Sequence, residues 1–323
     1  DFYGGHRPGD NLFTQSLVAL DASTGDRVWH FQMIHHGLWD YDTPAAPNLI
    51  DITVDGREIK AIAQVTKQGF TYVFDRATGV PVWPIIERAV PAATIPGERA
   101  SPTQPFPTKP PAFALQGLTE DDLIDFTPAL RAEAVQRLEN FTYGPLFTPP
   151  SLPQGDKRGT VLMPGAGGGA NWTGAGIDPE SGVLFVPSRD SATVPRMGTL
   201  DGDESNFNYF RLNFLGVAGP QGLPLLKPPY STITAFDMNS GEILWRVPNG
   251  AGSAQVENSP ALAGIDLPPL GGGGRHAVLV TSSLLIHGQN AGYGPLLVAR
   301  NKETGAEMAT IEIPANPSGA PMS

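Results

Sequence analysis

Side chains suited to acid–base or ligand chemistry crowd two short stretches. The segment HHGLWDYD carries His35, His36, Asp40 and Asp42, and Lys67 follows further along the chain in TKQG. A carboxylate held beside a substrate hydroxyl and shielded from water can take its proton. Asp40, directly after the bulky Trp39, suits that role; as a turn residue it would cap backbone amides instead. Asp40 and Asp42 together offer oxygens to a hard divalent or trivalent ion. Adjacent residues of a strand point to opposite faces, so His35 and His36 are expected to be structural and not to share one ion. A His/Asp cluster would also suit a metal-dependent hydrolase. Lys67 taken alone is a solvated lysine before a glycine turn. The clusters Gly167–Gly169 and Gly271–Gly274 have no GK[ST] ending and no strand–loop–helix context, so they are expected to be tight loops and not phosphate cradles.

The elements that must position these residues repeat along the chain. LVALDASTGDRVW (17–29), TYVFDRATGVPVW (71–83), GAGIDPESGVLFV (174–186), TITAFDMNSGEILW (232–245) and LLVARNKETGAEM (296–308) share one plan. An apolar run ends at Asp or a substitute, and Gly follows four residues later. That spacing predicts a type I turn closed by a left-handed glycine with a bulge, the Asp capping the turn amides. Trp29, Trp83 and Trp245 come four residues after Gly, where each lands on the returning strand and can bury a flat face against a neighbouring sheet. One hairpin cannot bury its own faces. Hairpins recurring at Asp21, Asp75, Asp178 and Asp237 predict stacked propeller blades, the long gap from Asp75 to Asp178 holding an insertion. That insertion, residues 91–153, is Pro-rich and then partly helical, with Pro128 at a first helical position and Leu130, Ala134, Val135 and Leu138 at helical spacing. A pocket cover and a plain surface loop fit it equally.

Composition agrees with many short strands. Gly and Pro make up about a fifth of the 323 residues, while 40% are hydrophobic, enough for a packed core. The net charge of −11, with no Lys/Arg run, excludes a nucleic-acid binder. There is no cysteine, hence no disulfide or thiolate metal site. No apolar run approaches the ~20 residues of a membrane span.

The repeats with their tryptophans are similar to the tryptophan-docking motif of the PQQ-dependent quinoprotein dehydrogenases. The segments WHFQMIHHGLWDYDTPAAPNLIDI (29–52) and QVTKQGFTYVFDRATG (64–79), with SPTQPFP (101–107) and FTPPS (147–151), resemble the membrane-type glucose dehydrogenase branch. The resemblance implies an all-β chain, part of an eight-bladed propeller of four-stranded antiparallel blades, with residues 1–323 forming about half of the ring. It implies truncation at both ends, and a piece that alone takes up no PQQ tightly, is inactive, and aggregates through its unpaired sheet faces.

The resemblance further implies oxidation of an aldose, polyol or alcohol by PQQ, with Ca²⁺ (Mg²⁺ or a lanthanide in some relatives), electrons passing to ubiquinone, a periplasmic setting and membrane association through segments outside this sequence. Asp40 is implied to be the general base and an ion ligand. Asp42 is implied to be a further ion ligand, and Lys67 a hydrogen-bond donor to the quinone oxygens. Relatives place an Asn near Pro187 or Ser188 to contact the quinone. FVPSRD lacks it, leaving Ser188 as a shorter substitute and Asn171 with Trp172 as a compensating cofactor-binding pair; a turn role for Asn171 and core packing for Trp172 fit equally. The alternative from another class is a non-catalytic propeller scaffold of the outer-membrane assembly type, which has no need of HHGLWDYD or Lys67.

Overall fold

The computed structural model describes residues 2–199, 207–272, 274–289, 294–317 and 319. All pairings between the named strands are antiparallel. β1 (Ser16–Leu20) and β2 (Arg27–Gln32) form a hairpin; β3 (Asn48–Val54), β4 (Arg57–Val65) and β5 (Thr71–Asp75) form a three-stranded sheet; β6 (Ile85–Ala89) pairs with β7 (Thr103–Pro107). β8 (Gly176–Asp178) and β9 (Val183–Arg189) join β12 (Ser231–Asp237) and β13 (Glu242–Pro248) in a four-stranded sheet ordered β13-β12-β9-β8. The hairpin of β10 (Val194–Gly198) and β11 (Phe210–Leu215) lies between them in sequence. A second four-stranded sheet follows in chain order, from β14 (Val278–Val280) and β15 (Leu284–Gln289) to β16 (Leu296–Asn301) and β17 (Glu307–Glu312). No helix among the described residues is long and apolar enough to cross a membrane.

The repeated turns are built as their spacing predicts. Asp21 Oδ1 accepts hydrogen bonds from the Ser23 and Thr24 amides, Gly25 N donates to Asp21 O at 2.8 Å, and Gly25 sits at φ +78°. Asp75, Asp237 and Asn301 cap their turns in the same way. The extra residue appears as a register shift at Ala19/Leu20, Ala235/Phe236 and Ala299/Arg300. At Trp83 the returning strand does not form. Pro81 lacks the N–H that a ladder needs, so pairing shrinks to a single Phe74–Pro81 bridge.

The tryptophans reach the next copy of the turn. Trp29 Nε1 donates to Arg76 O at 3.0 Å, and Trp245 Nε1 to Lys302 O at 3.1 Å. A Cβ added at Gly79 would lie 2.7 Å from the Trp29 ring, so only glycine lets that ring close onto the backbone. Burying an indole while satisfying its N–H is what makes tryptophan suited to this seam.

Residues 91–153 contribute to three packed regions. Their Pro-rich part supplies β7, an edge strand that tolerates Pro105 and Pro107. A helix, α1 (Pro128–Leu138), begins at Thr127, whose side chain accepts from Leu130 N, and buries Leu130, Ala134 and Leu138. These pack with Leu123, Phe141, Val194 and Leu225 in one hydrophobic cluster, distinct from the three others among the described residues.

Candidate active site

Asp40 lies in the irregular stretch between β2 and β3, held in place by alternation of residue type. Trp39 and Tyr41 are 1% and 2% exposed and stack with ring centroids 6.3 Å apart. Trp39 Nε1 donates to Thr148 O at 2.9 Å, and Tyr41 donates its hydroxyl proton to Pro164 O. With the rings anchored inward, the carboxylates of Asp40 and Asp42 are displayed where Lys67 meets both. Asp40 takes φ +60°, a left-handed backbone that Asp and Asn accept more readily than other side-chain-bearing residues.

Lys67 comes from the turn between β4 and β5, where Thr66 Oγ1 donates to Phe70 O at 2.9 Å. Its side chain is 8% exposed. The ammonium donates to Asp40 O at 2.8 Å, lies 3.9 Å from Asp40 Oδ2, and is in direct contact with Asp42 Oδ1. Burial raises the Asp40 carboxyl above the ordinary value; the Lys67 charge opposes this, and Asp42 adds to it. The outcome is a partly desolvated carboxylate held by a buried cation from a different turn of the chain.

The histidines do not join this group. His36 is buried, its ring nitrogens 2.7 Å from Gly9 O and 2.7 Å from Glu98 Oε1; His35 Nε2 lies 2.9 Å from Glu87 Oε1. No set of three His, Cys, Asp or Glu side chains able to hold an ion exists among the described residues.

Behind Lys67 runs the Gly167–Gly169 loop. A Cβ at Gly168, at φ +72°, would lie 2.5 Å from Lys67 Cβ, and Gly169 N donates to Lys67 O at 2.8 Å. This cluster is the close-approach loop that its composition predicts. Arg275 donates from Nη1 to Gly168 O at 3.0 Å and itself lines a cavity of about 760 Å³. Asn171 and Trp172 line that cavity. The Asn171 side chain makes a turn, donating to Gly167 O at 2.9 Å and accepting from Trp172 N at 2.7 Å, while the Trp172 side chain is exposed and outside the core. Ser188 does not line the cavity: its hydroxyl, buried in β9, is committed to Phe113 O at 3.1 Å and Thr232 Oγ1 at 3.0 Å. Its neighbours Arg189 and Asp190 do line it, as do Arg275 and His276. Sequence reading missed these four; the only signal was the RD after Ser188 and the RH closing the second glycine cluster.

Asp190 accepts from Leu115 N at 2.9 Å, and burial pushes its carboxyl up to about 6, against the charge of Arg246 and with that of Asp122. His287, buried under Arg300, is pushed down to about 4, first by burial. These act on stability with opposite signs. A raised carboxyl means that the folded state holds its proton longer, so Asp190 favours folding at acid pH and loses that advantage as pH rises through about 6. A depressed imidazole favours folding above the ordinary histidine value and loses that as pH falls toward 4. Each is worth about 3 kcal/mol at most. Asp190→Asn keeps an acceptor for Leu115 N and removes only the first effect. In the full-length protein the melting temperature of the variant is expected to exceed wild type by a margin that grows from pH 4 to pH 7. A margin constant with pH would contradict the assignment.

Compared with known proteins, residues 1–323 match the PQQ family model of the glucose/ethanol/alcohol dehydrogenase β-propeller domain. The chain therefore belongs to the PQQ-type dehydrogenase β-propeller family. It is 29% identical to the quinate/shikimate dehydrogenase (quinone) of Acinetobacter baylyi over 100% of this chain and 42% of that protein. It is 32% identical to the glycerol dehydrogenase large subunit of Gluconobacter oxydans over 79% of this chain and 38% of that protein, and 31% identical to the quinoprotein glucose dehydrogenase of Escherichia coli over 76% and 33%. The chain thus spans well under half the length of these relatives. The quinohemoprotein alcohol dehydrogenase of Comamonas testosteroni superimposes with a TM-score of 0.55 at 20% identity, covering 98% of this chain and 38% of that one, a likeness of fold.

Trp172, with an exposed indole, and Asn171, with a side-chain amide, line the cavity and suit a planar quinone, whereas Asp40, Asp42 and Lys67 do not line it. They do not suit an ion as they stand. Asp42 is taken by Lys67, and a hard cation needs about six to eight oxygens where Asp40 and Asp42 offer few.

Proposed function

We propose that this chain is a propeller region of a PQQ-dependent dehydrogenase that oxidises an aldose, polyol or alcohol. Electrons leave to ubiquinone, and the setting is periplasmic. The observation that carries this reading is the Asp40–Lys67 pair against the Gly167–Gly169 loop. The family's quinone-linked relatives, named for quinate/shikimate, glycerol and glucose, support it. The repeated tryptophan contacts are proposed to be blade-to-blade docking in an eight-bladed ring, with 91–153 an insertion that props Trp39 through Thr148.

PQQ, when bound, supplies the two-electron acceptor. Asp40 takes the substrate hydroxyl proton, its basicity raised by burial. Lys67 places a cation where negative charge develops and fixes the Asp40 backbone. Asn171 and Trp172 orient the ring system; Ser188 holds β9 against Phe113. A Ca²⁺, Mg²⁺ or lanthanide ion, implied by the family resemblance, would act as a Lewis acid when bound. Asp40 and Asp42 would be this chain's ligands, and Lys67 has to release Asp42 for that.

Dye-linked oxidation by the full-length protein tests the reading, as apo-protein and then with PQQ plus Ca²⁺, on glucose and a polyol panel. Activity is expected only with PQQ present. No activity and no PQQ binding would favour the scaffold reading.

A further inference from the structure

A strained backbone lies beside the segment that carries the base. Phe147 takes φ +68°, and it is the only apolar side chain among the described non-glycine residues with positive φ. It fills the third position of a hydrogen-bonded turn. Thr148 N donates to Pro145 O at 3.1 Å, and Thr148 Oγ1 donates to the same oxygen at 2.7 Å. Type II turns give that position to glycine, and a bulky residue with positive φ is an outlier there. Strain of this kind persists only where the surroundings enforce it, and it gathers at functional sites.

The ring is what the surroundings hold. Phe147 is 2% exposed. It meets Trp39 edge to face, with centroids 5.1 Å apart and planes at 68°, and Tyr41 at 6.3 Å and 68°. Those two residues flank Asp40 in the chain. Each is also held by a hydrogen bond from its polar end, Trp39 to Thr148 O and Tyr41 to Pro164 O. A hydrogen bond fixes one atom of a ring; an edge-to-face contact favours one angle between the planes. Touching both rings, Phe147 sets the two planes together, and the Asp40 main chain is strung between them. Behind the wedge, Phe106 meets Phe147 at 5.5 Å and 85°, and the Arg88 guanidinium lies 5.1 Å from the Phe106 centroid. The last residues of the 91–153 insertion are therefore a clamp on both neighbours of Asp40.

We propose that Phe147 is a positioning residue for proton transfer: its ring wedges Trp39 and Tyr41 and so fixes where the Asp40 carboxylate stands beside Lys67. The proposal rests on the dehydrogenase reading for the reaction that is served, and on the ring contacts alone for the wedge.

The test is Phe147→Leu in the full-length protein, which keeps an apolar side chain at the strained position and loses the ring. In the PQQ-loaded enzyme kcat is expected to fall roughly ten- to hundredfold with KM within about threefold of wild type, since a misplacement of about 1 Å can cost about 10² in rate. Phe147→Tyr keeps the ring and is expected to stay within about threefold of wild type in both constants. Phe185→Leu is the control. Phe185 is 1% exposed and packs against Trp245 at 5.8 Å in a different cluster, so its loss should lower the melting temperature and leave kcat alone. Amide hydrogen exchange of the apo-protein gives a readout free of turnover. Peptides spanning 38–43 are expected to exchange about fivefold faster or more in Phe147→Leu and at the wild-type rate in Phe185→Leu. Should Phe147→Leu fail to fold, Phe106→Leu carries the same measurements. It removes the half-buried ring behind the wedge, with kcat expected to fall roughly three- to tenfold. A kcat within threefold of wild type in Phe147→Leu, a raised KM at unchanged kcat, or a kcat loss of the same size in Phe185→Leu or Phe147→Tyr overturns the proposal. Loosening of 38–43 in Phe147→Leu, with wild type inactive on every substrate, would leave the wedge standing while the dehydrogenase reading fell. Normal wild-type turnover with kcat and exchange unchanged in Phe147→Leu would do the reverse.

Discussion

Asp40→Asn in the full-length holoenzyme is expected to lower kcat by roughly 10²- to 10⁴-fold, the range that a positioned general base contributes, with little change in KM. The substitution is a clean one here for three reasons. Asparagine accepts the left-handed backbone at φ +60° nearly as well as aspartate. The contact from the Lys67 ammonium at 2.8 Å goes to the Asp40 main-chain oxygen and survives the change. Trp39 and Tyr41, which hold the segment, are untouched. The variant should therefore melt close to wild type and still take up PQQ. What it loses is the basic oxygen that burial makes more basic than an exposed aspartate. Steady-state kinetics with matched thermal melts decide the matter: a kcat within threefold of wild type would remove Asp40 from the proton-transfer role.

The parts of this molecule that were legible in sequence are those set by local chemistry. Asp21 to Gly25 is a local problem: a capping carboxylate and a residue free to take positive φ solve it, so the turn and its bulge can be read off. The same holds for Thr127–Pro128 as a helix start. The alternation of WDYD, which separates rings from carboxylates, became visible only with the structure. The Asp40–Lys67 contact joins two separate turns, and only the family resemblance connected them. Trp83 shows the limit of reading by repeat, since Pro81 cancelled the strand that the spacing implied. The cavity was illegible for a different reason. Arg275 reaches Gly168 from a distant part of the chain, and nothing in GGGGRH states what lies opposite. Ser188 and Arg189 are neighbours on a strand and so face opposite ways; one enters the sheet interior and the other the cavity, a distinction that depends on register alone.

Lys67→Met is expected to damage both stability and turnover, and the two losses have separable causes. Removing the ammonium leaves Asp40 and Asp42 facing each other with no cation between them. It also orphans the Asp40 carbonyl. A charge-assisted hydrogen bond is worth about 1.5–3 kcal/mol, and the half-exposed Asp42 screens its share, so a loss of about 2 kcal/mol is the expected scale. Turnover is expected to fall by roughly 10²- to 10³-fold, as when a donor aimed at developing negative charge is deleted. Adding Asp42→Asn to Lys67→Met removes the like-charge repulsion and supplies a neutral amide that can donate to the freed oxygens. The double variant should regain much of the melting temperature and none of the turnover. Recovery of both together would mean that Lys67 acts only by holding the Asp40 segment in place. Recovery of neither would mean that Asp42 contributes to the site by some route other than its contact with Lys67. Stability regained while kcat stays low is the result that makes Lys67 a participant in the chemistry, because it is the one outcome that a purely structural lysine does not produce.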